Sequence, residues 1–140
     1  MAHQSEEKRY PLTRQQEGLW IEWKLHPDNT SYNTCTQIRL EGPLDVDRIQ
    51  EALRLVVKYF ESLRVYFKEE HGVPYQIVTN DDSYSFEYLD LSDGAKEETE
   101  EKAQAARKEM ERMVYTPIDL TTYPITRAAV IKTAENVHYF

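Results

Sequence analysis

Histidine is the side chain best suited to moving a proton near neutral pH, and the chain has four, at positions 3, 26, 71 and 138. Their settings argue against that work. His3 lies in a charged tail, His26 precedes Pro27, His71 falls in an expected hairpin turn and His138 begins a terminal strand, so each reads as structural or solvated. His26, Asp28 and Ser31 have the residue types of a nucleophilic triad, but triads are assembled from distant segments and these three share one loop. The acidic pairs Asp81-Asp82 and Glu97-Glu98 come without an Asp-x-Asp-x-Asp-Gly frame, so they are expected to face water and no metal is expected. Neither Gly-x-Gly-x-x-Gly nor Gly-x-x-x-x-Gly-Lys occurs, which leaves a phosphate loop without support. Cys35 is the single cysteine; it rules out an internal disulfide or a multi-cysteine cage, and a buried thiol within a strand is expected. Residue chemistry alone therefore specifies a soluble α/β domain without a metal or a directly bound cofactor.

The elements that must position these residues follow from period and punctuation. Thr13-Arg14-Gln15-Gln16 reads as a capping box that opens a helix over 13–25, with Leu12, Leu19, Trp20, Trp23 and Ile21 as its apolar face and Pro27 as its stop. Trp20 and Trp23 are expected to be core anchors. Tyr32 to Leu40 is rich in strand formers and predicts a strand with Ile38 and Leu40 on one face. Asp45 caps a second helix in which Val46, Ile49, Leu53, Val56 or Val57, and Phe60 recur at helical spacing. Val65–Lys68 and Pro74–Thr79 predict a hairpin around Gly72, which can take positive φ. Ser85–Leu89 adds an extended segment, and 93–113 predicts a surface helix whose apolar stripe is Ala103, Ala106, Met110 and Met113. Pro117 stops that helix; residues 127–133 predict an apolar strand, followed by a turn at 134–136 and a returning strand.

At 140 residues, with 25 acidic against 17 basic side chains and a net charge of −8, the chain is one domain or part of one whose field repels phosphate backbones. Nucleic acid is not expected as a partner. No apolar run approaches the roughly 20 residues of a membrane span, and residues 1–7 lack the basic-then-apolar order of a signal peptide, so a cytoplasmic protein is expected. Asn29-Thr30-Ser31 matches the glycosylation pattern only by chance in a polar loop. A frayed start over 1–9 and a single lobe over 10–140 are expected.

Taken in order, the segments resemble the opening part of a condensation domain of nonribosomal peptide synthetases, in the chloramphenicol-acetyltransferase-like superfamily. Tyr10-Pro11-Leu12-Thr13 with Gln16 and Leu19-Trp20 resembles the family's first motif, and His26-Pro27-Asp28 to Tyr32-Asn33 resembles the loop that follows. Gly42-Pro43-Leu44-Asp45 is similar to the entrance of its second helix. Glu61-Ser62-Leu63-Arg64 with Phe67 matches the motif Arg-His-Glu-x-Leu-Arg-x-x-Phe, with Tyr59 and Phe60 standing in place of Arg and His. Gly72 to Gln76, Ile118-Asp119-Leu120 and Pro124 to Arg127 extend the likeness. The resemblance implies an α/β (α+β sandwich) fold, a mixed sheet flanked by helices, forming the N-terminal part of such a lobe. It implies amide-bond formation between a donor acyl or peptidyl thioester and an acceptor aminoacyl thioester, both on phosphopantetheine arms of carrier proteins, in the making of antibiotics and other secondary metabolites.

The family's His-His-x-x-x-Asp-Gly motif is absent from the sequence and is expected to begin just beyond Phe140. The chain is accordingly expected to hold no catalytic residue and to be inactive alone, with Arg64 as a supporting residue whose family counterpart contacts the aspartate of that motif. Implied partners are carrier proteins and the remainder of the condensation domain and synthetase. Strand 127–133 suggests self-association through an exposed sheet edge. Two alternatives are a non-catalytic docking module for a carrier protein or split partner, and a fragment of a CoA-dependent acyltransferase.

Overall fold

The computed structural model describes residues 7–140, which form two compact units. The first comprises the described part of Met1–Asn29 with Ala52–Tyr84 and Pro117–Thr126; the second comprises Thr30–Glu51, Ser85–Thr116 and Arg127–Phe140. Of the start expected to fray, residues 1–6 and His3 lie outside the described residues, while Lys8 and Arg9 are the first two residues of a strand.

The first unit is built on a three-stranded antiparallel sheet in the order β1 (Lys8–Pro11), β4 (Val73–Val78), β3 (Val65–Glu70). The hairpin β3–β4 pairs Val65 with Val78 through to Glu70 with Val73. Its two-residue turn puts both His71 (φ 52°) and Gly72 (φ 78°) in the left-handed region, the geometry that matches the twist of paired strands. Alternation then buries Tyr66, Tyr75 and Ile77 on one face, with Tyr123 and Ile125 packed against them. Helix α1 (Arg14–Leu25) opens with the expected capping box, Thr13 accepting from the Gln16 amide and the Gln16 side chain accepting from the Thr13 amide. Its apolar face is narrower than expected: Trp20 is buried and Trp23 half-buried, whereas Leu19 and Ile21 are exposed. Two indole rings 5.1 Å apart fill the contact that the smaller side chains would have shared.

The second unit carries a four-stranded sheet in the order β2 (Arg39–Glu41), β7 (Val137–Tyr139), β6 (Arg127–Ala134), β5 (Ser85–Asp90). Only β5–β6 is parallel, which makes the sheet mixed and requires a long crossover. That crossover holds helix α3 (Glu100–Val114), whose Ala106 and Met110 pack on Ile131 with Leu91 and Tyr139 around them. The helix begins later than the expected residue 93. Asp93 and Gly94 adopt positive φ, and Thr99 supplies the N-cap by accepting from the Lys102 amide.

Helix α2 (Val46–Tyr59) starts in the second unit's span and ends in the first's. Asp45 Oδ1 accepts from the Arg48 amide, as a cap should. Its inward stripe is Val46, Ile49, Leu53 and Val57; Val56 and Phe60 are exposed.

Three further expectations fail for stated reasons. The segment 32–38 is not a strand, because a ladder needs a partner and β7 offers one only for Arg39–Glu41 and, through Phe140, for Ile38. Cys35, expected inside that strand, is consequently exposed. Strand 127–133 is not an edge, since β6 lies between β7 and β5.

Candidate functional site

Arg64, the residue singled out as supporting, sits in a short 3-10 turn (Glu61–Arg64) between α2 and β3. The guanidinium is half-buried and donates to three backbone carbonyls. Nε reaches Thr79 O at 3.0 Å, Nη1 reaches Val57 O at 2.9 Å, and Nη1 also bonds Lys58 O. Val57 and Lys58 lie in the last turn of α2, where carbonyls have no intrahelical partner. A cation at a helix C-terminus meets both that hydrogen-bond deficit and the negative end of the dipole. The same side chain thus ties α2 to the residue that follows β4. Tyr59 and Phe60, which stand in place of the motif's Arg and His, are 82% and 51% exposed and meet each other edge-on at 5.0 Å.

The segment Ile118-Asp119-Leu120 is fixed in the same unit through two of its backbone carbonyls. Trp23 Nε1 donates to Ile118 O at 3.1 Å, and the Phe67 amide donates to Leu120 O at 2.9 Å. Asp119 turns its carboxylate onto its own loop, accepting from the Thr121 amide and hydroxyl and from the Thr122 hydroxyl. Those donors hold the carboxyl below its ordinary value. The segments carrying the family resemblance around Trp23, Phe67 and Leu120 therefore meet in space.

In the second unit a cleft of about 460 Å³ is lined by Arg39, Gly42, Lys96, Glu98, Asn136 and Val137 among others. Glu98, expected to face water, is turned inward, its side chain 13% exposed. Its Oε1 accepts from the Thr133 hydroxyl at 2.6 Å, its Oε2 accepts from Arg39 Nη2 at 3.1 Å, and Tyr139 hydrogen-bonds it as well. Burial pushes the Glu98 carboxyl up, and the bonds from Thr133, Tyr139 and Arg39 together outweigh burial, leaving it below the ordinary value. One carboxylate so joins β2, β6 and β7. Asp82, also expected to face water, pairs with Arg54 at 3.0 Å.

No catalytic constellation forms among the described residues. His26 and His71 are exposed, and His138 is buried in β7. No group of three or more His, Cys, Asp or Glu able to hold a metal occurs among them, and no helix is long and apolar enough to cross a membrane. The Glu98 cluster escaped sequence reasoning because its members Thr133 and Arg39 stand 35 and 59 positions from Glu98; the signal available was only that Thr133 and Tyr139 stand at inward positions of apolar strands.

Solved structures share this arrangement. The starter condensation domain of rhizomide synthetase matches with a TM-score of 0.83 at 25% identity, over 94% of this chain and 31% of that one. The first condensation domain of the calcium-dependent antibiotic synthetase matches with a TM-score of 0.76 at 26% identity, over 94% and 31%. The fold is therefore that of condensation domains. The condensation domain family model matches residues 6–140, and the chain belongs to that family. Relatives by sequence are a linear gramicidin synthase of Brevibacillus parabrevis, 32% identical over 96% of this chain and 3% of that one, and a dimodular nonribosomal peptide synthase of Bacillus subtilis (strain 168), 33% identical over 87% and 5%. The chain spans only a few per cent of these relatives' length.

Proposed function

We propose that this chain is the N-terminal part of a condensation domain that joins a donor acyl or peptidyl thioester to the amine of an acceptor aminoacyl thioester. In that reaction the amine nitrogen attacks the thioester carbonyl, the C–N bond forms, the C–S bond breaks, and the donor's carrier thiol leaves with the proton released by the amine. Phosphopantetheine on partner carrier proteins presents both substrates, and no cofactor is bound directly. The observation that carries this reading is the family match over 6–140, on a fold that superimposes on 31% of the rhizomide starter domain's chain. A mutant of the rhizomide synthetase starter domain has been solved in complex with C8-CoA and Leu-SNAC. That complex favours, as a second reading, an initiating domain whose donor arrives on CoA.

On this reading the base belongs to a His-His-x-x-x-Asp-Gly motif outside this sequence, where such a base contributes roughly 10²–10⁴ in rate. Arg64 supports the site from the turn between α2 and β3, its side chain tying α2 to the residue after β4. The compartment proposed is the cytoplasm. Self-association, if it follows an open sheet edge, belongs to β5, whose residues 87–90 are exposed; a species that stays monomeric in sedimentation at high concentration counts against it.

The test is amide formation from loaded donor and acceptor, followed by intact mass, first with this chain alone and then with the remainder of a condensation domain added. Donors are offered both as carrier thioester and as acyl-CoA. Product only after addition supports a complementable part, and the donor consumed decides between elongation and initiation. Product from the chain alone would overturn the assignment of the base. No product from a folded mixture would favour a non-catalytic docking module.

A further inference from the structure

Among the described residues, the buried side-chain polar atom left without a hydrogen-bond partner is Nδ1 of His138. The residue is 3% exposed and sits in β7 directly opposite Lys132 of β6. Lys132 in turn stands opposite Asp90 of β5, with Nζ 3.5 Å from the Asp90 carboxylate. Three titratable groups thus form one cross-strand row, closed on the far side by Leu40 of β2, which brings no charge. Helix α3 adds none either: its Ala106 and Met110 pack on Ile131 and Tyr139, the alternate positions that face the other side of the sheet. The charges acting on His138 are Lys132 and, opposing it, Asp90.

A neutral imidazole fits this place at the expense of one unmet nitrogen. A protonated one places a desolvated cation beside a second cation, a costly arrangement. We propose that His138 is a proton-operated latch on β7: neutral, it holds the strand in the second sheet, and on mild acidification its protonation frees β7 from β6 and β2. Burial, reinforced by Lys132, lowers its proton affinity in the fold. The unfolded or opened form therefore binds the proton more readily. The latch is fully set above the ordinary histidine value of 6.5 and is lost as pH falls below it. The inference rests on the second unit's geometry and does not depend on peptide-bond formation.

Amide hydrogen exchange of the 140-residue chain at about pH 7.5 and about pH 5.5, corrected for intrinsic rates, tests it, with the β3–β4 hairpin as internal reference. Protection of Val137–Tyr139 and of their β6 partners is expected to fall about tenfold while the hairpin holds. His138→Gln is expected to keep β7 protected at both values. Should that variant fail to fold, Lys132→Met decides, because removing the second cation moves the opening to lower pH. The His138 ring, followed by carbon-detected NMR, is expected to titrate below the ordinary value. A ring titrating at or above that value, β7 protection unchanged by acid, an equal fall in the hairpin, or an unaltered fall in either variant would overturn the latch.

Discussion

The two units bury different things. The first hides tyrosine rings and Ile77 and keeps its ion pairs, such as Lys8–Glu61 and Arg9–Glu70, on the surface. The second buries Thr133, Ser92 and His138 alongside Val130, Ile131 and Ala134, and draws Glu98 into its sheet. Buried polar groups cost stability unless they are satisfied, whereas surface pairs are nearly neutral in energy. The second unit should therefore respond to pH and to single polar changes, and the first should answer mainly to loss of packing or of a helix cap.

Both tryptophans belong to the first unit, so fluorescence follows that unit and circular dichroism follows both. The largest effect is expected from Ile131→Ala, which empties a site 2% exposed under α3 and should cost about 3 kcal/mol. In urea it should shift the dichroism midpoint and local exchange in β6 more than it shifts tryptophan emission. Arg64→Met comes next: it strips three carbonyls of their donor and should cost about 2 kcal/mol, read in tryptophan emission, with Arg64→Lys recovering only part because an ammonium cannot reproduce the fork. If Arg64→Met instead leaves emission untouched, the helix-end account is wrong.

Smaller again is Glu98→Gln, at about 1.5 kcal/mol near neutrality. Because the folded Glu98 carboxyl lies below its ordinary value of 4.5, its contribution is present above that value and is lost as pH falls from there through the lower folded value. Urea midpoints measured across that window should fall less steeply in the variant than in the parent chain. Lys8→Ala should be the weakest, with no measurable change in midpoint, since both partners of its pair are about half exposed. A clear loss there would break the contrast between the units.

What the sequence disclosed and what it hid divide along the same physical line. The Thr13–Gln16 capping box, the α2 stripe from Val46 to Val57 and the hairpin over 65–78 are local, their partners lying within a few residues or across one tight turn, and each is where spacing placed it; only Phe60, at the stripe's end, is exposed. Segment 32–38 misled because strand propensity has no meaning without a neighbour to pair with. The start of α3 misled because Glu and Lys are favourable in a helix and equally at home in the turns before Thr99. Arg64 was legible as a residue of interest through the motif it completes, while its carbonyl partners were not, since backbone acceptors leave no mark in composition. His138 read as structural or solvated and is buried; the Lys132 beside it follows only from a register that includes an irregularity between Lys132 and Ala134.

The order in which the chain visits its two units has a consequence for anyone who would cut or recombine it. It passes from one to the other after Asn29, Glu51, Tyr84, Thr116 and Thr126, so each unit is stitched from three separate stretches. No contiguous excision yields either one by itself. A crossover point placed between residues 30 and 126 would exchange part of both cores at once, and chimeras that respect the fold must break outside that interval.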